Sequence, residues 1–241
     1  MGIFDFLGGS GPEKALKLKS KVTQKYGDPA TRQKALQQLG EMKIPEAVTV
    51  LLHRYTVTVE PLTTDADEKE HVFELIKSFD KDAIAPVTEF LRKNEQATSW
   101  ALRILESLLP ESEVVTIVVD TLHSLSAQYM RDPEKKVVLL HYVTGKQDPR
   151  IPSVVLPHLD DMADEVKIAA LKALGPQKHE PAREPILRLL TSGDAGRRVQ
   201  TAALGALQES GFGVQGYREK VEAVMNEPYY LDGSGLVQRR G

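Results

Sequence analysis

The segment from Gly211 to Gly216 reads G-x-G-x-x-G, the spacing found where a dinucleotide's phosphates are bound. Asp232 follows at about 20 residues, where that fingerprint places an acidic group for the ribose. The fingerprint also needs a strand before its first glycine, so that the pyrophosphate meets a helix N-terminus at a sheet edge. Here the Ala/Leu-rich stretch 202–210 predicts a helix instead. We therefore interpret the motif as a turn between two helices.

The histidines show weak metal-binding potential. None of the six lies four residues from another, so the helical zinc motif is absent from the sequence. His53, His123 and His158 all fall on helices that are predicted to share one face, and three histidines can form an open metal site. Since their segments are not all adjacent, we expect packed or solvated histidines, and we predict no metal and no cofactor.

Carboxylates cluster at two places in the sequence, and paired carboxylates can carry general acid–base chemistry. Such chemistry needs two carboxylates in different environments within one cleft. The clusters fall at predicted helix starts, where negative charge is favoured by the helix dipole, so we expect capping in solvated turns. The sequence has no cysteine, no G-x-S-x-G and no phosphate loop, and we predict no catalytic residue and no enzyme activity. The clusters are Asp65, Asp67, Glu68 and Glu70, then Asp160, Asp161, Asp164 and Glu165.

Cations on several predicted helices form the candidate binding site. One interpretation is an ordinary solvated face, and the other is a basic stripe that meets an acidic partner protein. The candidate partner-binding residues are Arg54, Arg92, Lys93, Arg183, Arg188 and Arg218.

Trp100, the only tryptophan, is expected to pack between repeats rather than to anchor a partner.

The elements that must position these residues repeat along the chain. The phrase at 166–174, VKIAALKAL, recurs 33 residues later at 199–207 as VQTAALGAL, and both have the spacing of an amphipathic helix. Fainter copies lie around residues 35, 75, 101 and 139, and each copy is followed by a second apolar helix. The second helices are predicted at 44–55, 83–93, 113–128, 151–159, 181–190 and 216–225.

This pattern resembles the HEAT repeat family, and in particular the short bacterial PBS-lyase HEAT-like repeat. The resemblance covers about 28–226 and is most specific at 164–207. It implies an all-α, right-handed α-solenoid of about six helical hairpins, with first helices on the convex side and second helices on the concave side. A single hairpin cannot bury both apolar stripes, whereas stacked hairpins can.

Three local features interrupt or bound the repeats. Alternating β-branched residues near 56–64 predict a short extended segment. Gly40, Gly145 and Gly175 are predicted to end helices in a left-handed conformation. We divide the chain into an apolar, glycine-rich N-terminal segment (1–12), the solenoid (13–226) and a tail or cap (227–241) in which Asp-Gly predicts a hairpin.

The N-terminal region combines apolar and basic residues. Ile3, Phe4, Phe6 and Leu7 are too few to span a bilayer, and five lysines follow within 14–25. The segment 1–12 is predicted to act either as a cap on the first repeat or as a tether. Weak contact with a membrane surface is expected to run through 1–25.

Composition sets the remaining expectations. A hydrophobic fraction of 41% and a net charge of −3 in 241 residues indicate a folded chain that is not basic overall. With no signal segment or membrane span visible, we expect a cytoplasmic protein. We predict a non-catalytic scaffold or adaptor that binds a protein, with no small-molecule substrate and no nucleic acid. The resemblance leaves two alternatives, a subunit similar to a bilin lyase and a HEAT-like nucleic-acid-binding protein.

Overall fold

The computed structural model describes residues 10–126 and 128–240, in which the regular secondary structure is helical except for one C-terminal hairpin. The all-α class predicted from the sequence is confirmed. Within the described residues the α-helices are α1 (Gly11–Val22), α2 (Pro29–Met42), α3 (Pro45–Leu52), α4 (Leu62–Lys77), α5 (Ile84–Lys93), α6 (Thr98–Leu108), α7 (Glu111–Leu125), α8 (Glu134–Val143), α9 (Ile151–Val155), α10 (Asp164–Leu174), α11 (Arg183–Leu190), α12 (Arg197–Ser210) and α13 (Arg218–Val224). The strands are β1 (Tyr229–Leu231) and β2 (Val237–Arg239).

The chain divides into two compact units, one ending at Val114 and the other beginning at Val115. Within the described residues, no helix is both long and apolar enough to cross a bilayer. The predicted boundaries of the N-terminal segment and the solenoid stay predictions.

In the first unit the helices form two layers. The first-helix positions α2, α4 and α6 pack successively on one another, and α1, α3 and α5 form the second layer. Leu36, Leu51, Ile76 and Leu105 are fully buried in this unit. The two layers therefore bury apolar side chains between them, which is the arrangement expected of stacked helical hairpins.

The second unit repeats this arrangement around the clearest sequence repeat. Helix α10 lies between α8 and α12, while α11 packs on α12, on the 3₁₀ segment 156–160 and on α13. Ala170 of α10 and Ala203 of α12 are fully buried. The two helices predicted from the repeated phrase thus pack on each other, and each has a small buried side chain at the equivalent position.

Three sequence expectations need correction. The extended segment is shorter than predicted, because α4 begins at Leu62 and only residues 57–61 lie outside a helix. Gly40 lies inside α2, which continues to Met42, and a Cβ on Gly40 would come 2.7 Å from Cδ2 of Leu75. The absence of a side chain at Gly40 therefore lets α2 and α4 approach closely.

Gly175 follows the end of α10 but has φ of −49°, so it is not the left-handed residue that was predicted. A Cβ at this position would meet the Glu209 carboxylate on α12. Gly145, in contrast, has φ of 75° just after α8, as predicted.

The C-terminal hairpin is confirmed. Strands β1 and β2 pair antiparallel, with Tyr229 opposite Arg239, and β2 packs on α12. The hydroxyl of Tyr229 would lie 2.8 Å from a Cβ on Gly205. The hairpin therefore covers part of α12, the last long helix of the second unit.

Candidate functional site

Four charged side chains form a buried ionic cluster in the first unit: Arg32, Arg54, Asp65 and Glu68. Arg32 binds Glu68 with two hydrogen bonds, Nε to Oε2 at 2.6 Å and Nη2 to Oε1 at 2.8 Å. Arg54 donates from Nε to the same Glu68 Oε2 at 2.9 Å and from Nη2 to Asp65 Oδ1 at 2.7 Å. Arg54 is fully buried, so the prediction that it lies on an accessible basic stripe is wrong.

Local sequence explains how these residues meet. Asp65 and Glu68 are three residues apart at the start of α4 and therefore lie on one helix face. Arg54 sits in the 3₁₀ turn after α3, and its Nη1 donates to the carbonyl of Val57 at 3.0 Å. The amide of Val59 donates to Asp65 Oδ1 at 3.1 Å. The ionic cluster thus fixes the extended segment against α4.

The electrostatics keep both carboxylates ionised. Burial by itself would raise the pKa of Asp65 and of Glu68, but hydrogen bonds from Lys69 and Arg54 to Asp65, and from Arg32 and Arg54 to Glu68, hold both pKa values below their usual range. A carboxylate held this way is a poor proton donor at neutral pH. The expectation that Asp65 and Glu68 are solvated caps is wrong, and they act as ion-pair partners.

A second ion pair lies in the second unit. Lys136 Nζ, almost fully buried, contacts Asp161 Oδ2 at 2.7 Å and donates to the carbonyl of Gln128 at 2.6 Å. Asp161 Oδ1 accepts from the amide of Ala163 at 3.0 Å, just before α10. The expected capping role of Asp161 is therefore only part of its contribution, since it also neutralises a buried lysine.

His158 lies near this pair and is almost fully buried. Burial, and then the nearby ammonium of Lys136, lower the pKa of His158 to about 4, so the imidazole is neutral at pH 7. Neither ring nitrogen makes a hydrogen bond of normal geometry within the described residues. The Asp161 carboxylate and the nearby Leu122 backbone favour the protonated ring, but they only partly offset the lowering of the pKa. The imidazole is thus an incompletely satisfied buried polar group.

Beside the Lys136–Asp161 pair is a concavity of about 380 Å³, here called the Tyr129–Met162 concavity. Tyr129 and Met162 on its rim are 77% and 83% exposed. Arg131 and Asp160 add exposed charges of both signs. The surface is lined by Ser126, Gln128, Tyr129, Met130, Arg131, Pro133, Lys136, Asp160, Asp161, Met162 and Ala163.

A groove of about 600 Å³ lies between α2 and α4 in the first unit. Asp67 and His71 are exposed along it, and Glu68 contributes to its floor. Because Glu68 is already bound to two arginines, the groove has no free carboxylate at its base. It is lined by Gln33, Leu36, Gln37, Thr64, Asp67, Glu68, His71 and Leu75.

The other predicted partner-binding cations are largely engaged within their own units. Lys93, Arg188 and Arg218 pair with glutamates four residues away, at 2.5, 3.5 and 2.9 Å. Arg183 donates to the carbonyls of Gly213 and Gln215, both at 2.7 Å, and so holds the glycine turn. Arg92 is exposed on α5.

The glycine motif has the expected role of a turn. Helix α12 precedes it, and Gly211 ends that helix with φ of 73°. Asp232 accepts hydrogen bonds from the hydroxyl of Ser234 and from the amides of Leu236 and Ser234, and these bonds lower its pKa to about 2. Asp232 therefore shapes the hairpin turn and is not placed as a ribose ligand would be.

Two remaining candidate residues, Trp100 and His53, pack against other aromatic rings. Trp100 stacks on Tyr55 with ring centroids 4.6 Å apart, and His53 packs edge-on against Phe90. No group of three or more His, Asp or Glu side chains in residues 10–126 and 128–240 is arranged to hold a metal ion.

Comparisons with known proteins give limited information. No protein-family model matches the sequence, and no curated protein matches it significantly. The fold is similar to human deoxyhypusine hydroxylase in complex with glycerol, at 12% identity and a TM-score of 0.37, over 89% of this chain and 95% of that one. An engineered protein matches at 18% identity and a TM-score of 0.40, over 90% of this chain and 69% of that one. Both TM-scores are below 0.5, so neither match assigns an activity or a partner.

Proposed function

We propose that this chain is a non-catalytic protein-binding scaffold and that a partner protein binds at the Tyr129–Met162 concavity. The observation that carries the proposal is the exposure of two large, partly apolar side chains around one depression. Aromatic residues, methionine and arginine are enriched at protein interfaces, and this rim contains all three kinds. Exposed apolar groups grouped in this way mark interaction sites more often than single exposed residues do.

The base of the concavity favours binding over chemistry. Lys136 is held by Asp161 and by the Gln128 carbonyl, so its ammonium is already neutralised. A partner would therefore meet a fixed floor, with Tyr129 and Met162 free to cover an apolar side chain. The HEAT-like layers of paired helices provide a rigid frame for such a surface.

The test compares full-length variants in quantitative affinity capture from lysate of the source organism. The test variant is Tyr129→Ala with Met162→Ala, and the matched control is Leu62→Ala with Tyr230→Ala, which also removes one aliphatic and one aromatic exposed side chain. Truncating a central aromatic anchor costs about 2 kcal/mol or more, so a partner recovered with the unmodified chain and the control should fall by roughly 30-fold with the test variant.

Circular dichroism of each variant controls for folding. Equal recovery of every captured protein with all three chains would refute the concavity as the binding site. Equal loss with the test and control variants would refute it as well, because the effect would then not depend on this surface.

A further inference from the structure

The segment 10–26, which contains α1, has a charge opposite to that of the rest of the chain. It holds five lysines and one glutamate, a formal charge of +4, whereas the whole chain is at −3, so the remaining residues sum to −7. Charge asymmetry of this kind indicates a surface that meets an anionic partner. The five residues are Lys14, Lys17, Lys19, Lys21 and Lys25.

Helix α1 has a buried face and a basic face. Ala15, Leu18 and Val22 are buried, and α1 packs on α2 and α3. The five lysines are exposed, and in the part of the chain that the structure describes none of them forms an ion pair. Lys93 on α5, in contrast, pairs with Glu89 at 2.5 Å on its own helix. The positive charge of α1 is therefore not compensated locally.

Apolar groups lie beside these lysines. Leu16 on α1 is 56% exposed and Tyr26 just after it is 88% exposed. Lys14, Lys17 and Leu18 border an open groove of about 430 Å³ between α1 and α2. The face thus combines ammonium groups with exposed apolar surface, which is the composition that binds a lipid–water interface.

We propose that the outer face of α1 binds an anionic membrane surface. Lysines near such a surface are attracted to anionic headgroups, and a second, apolar contribution is needed for stable attachment. Leu16 and Tyr26 supply this contribution beside the lysines. An anionic bilayer accounts for both features, because its headgroups attract the lysines and its interface accepts exposed apolar side chains. The apolar stretch at 3–7 lies outside the described residues. The proposal concerns a surface separate from the Tyr129–Met162 concavity and does not depend on it.

The experiment is cosedimentation of the full-length chain with vesicles of phosphatidylcholine alone or with phosphatidylserine added to about 30%. The test variant is Lys14→Gln, Lys17→Gln and Lys21→Gln. The matched control removes three exposed lysines elsewhere: Lys81→Gln, Lys172→Gln and Lys178→Gln. Each lysine near an anionic surface contributes a roughly fivefold effect, so the test variant should partition on the order of 100-fold more weakly, and the control much less so.

A second variant, Leu16→Ser with Tyr26→Ser, tests the apolar contribution and should also weaken binding to the anionic vesicles. Binding that is equal for the two vesicle types, or that is reduced equally by the test and control lysine variants, would overturn the proposal. Absence of vesicle binding by the unmodified chain would overturn it too, as would full retention of binding by the variant that lacks Leu16 and Tyr26.

Discussion

The two units bury charge in different ways. In the first, Glu68 is shared by Arg32 and Arg54, and each guanidinium also reaches a backbone carbonyl. In the second, Lys136 and Asp161 are paired, but the neighbouring His158 lacks a normal hydrogen bond. The difference lies in the pH at which each unit loses stability: the paired carboxylates, whose pKa values are lowered, lose their contribution only in acid, whereas the buried neutral His158 loses its contribution as pH falls from about 6.5 towards 4.

The first unit also separates buried from exposed charge within one helix. Glu68 and Glu70 are two residues apart on α4, and each accepts two hydrogen bonds from one arginine, while Glu68 accepts a third from Arg54. The pair of Glu70 with Arg103 is about half exposed, whereas the pair of Glu68 with Arg32 is buried. The two glutamates therefore form a matched test of burial.

The largest effect is expected for Glu68→Ala. This substitution leaves Arg32 and Arg54 buried without their shared carboxylate, and removing one partner from a buried ion pair costs about 3–5 kcal/mol. The control Glu70→Ala should change the free energy of unfolding little, because water replaces the lost contact. Urea denaturation of both variants at neutral pH measures the difference. Similar losses for the two variants would break the comparison between buried and exposed charge.

A smaller, pH-dependent effect is expected at His158. Its pKa in the folded chain, about 4, lies below the ordinary value of 6.5, so the unfolded chain binds more protons between these values. The contribution to stability is therefore complete above about pH 6.5 and is lost as pH falls towards 4, by about 3 kcal/mol in all. His158→Leu removes the proton site and should flatten this part of the profile.

Urea denaturation from about pH 7 to pH 4.5 tests this prediction, since the carboxylates of Asp65, Glu68 and Asp161 stay ionised over most of that range. His123→Gln, at an exposed position on α7, is the control and should keep the slope of the unmodified chain. Parallel profiles for His158→Leu and the unmodified chain would show that His158 is not the source of the pH dependence.

The repeats were predictable from sequence because their signal is local. The apolar spacing of 166–174 and 199–207 indicates two amphipathic helices, and α10 and α12 do pack directly on each other. The C-terminal hairpin was equally predictable from Asp-Gly between short β-prone runs. In each case the residues that determine the element are neighbours in the chain.

The buried ionic cluster was not predictable in this way. Arg32 and Glu68 are 36 residues apart, and nothing near Arg54 distinguishes a buried arginine from an exposed one. The acidic spacing of Asp65 and Glu68 was the available signal, but it also fits a capped helix start. Tyr129 and Met162 lie outside the α-helices, where no periodicity indicates which residues will meet.

The central claim is that function lies in binding at the Tyr129–Met162 concavity and that the buried charges serve the fold. Hydrogen-exchange mass spectrometry of the full-length chain, with and without the partner recovered by affinity capture, tests this most directly. We predict slower exchange at 128–133 and 160–163 on partner binding, with no change along α4. Protection confined to α2 and α4, around the groove that contains Asp67 and His71, would contradict the account.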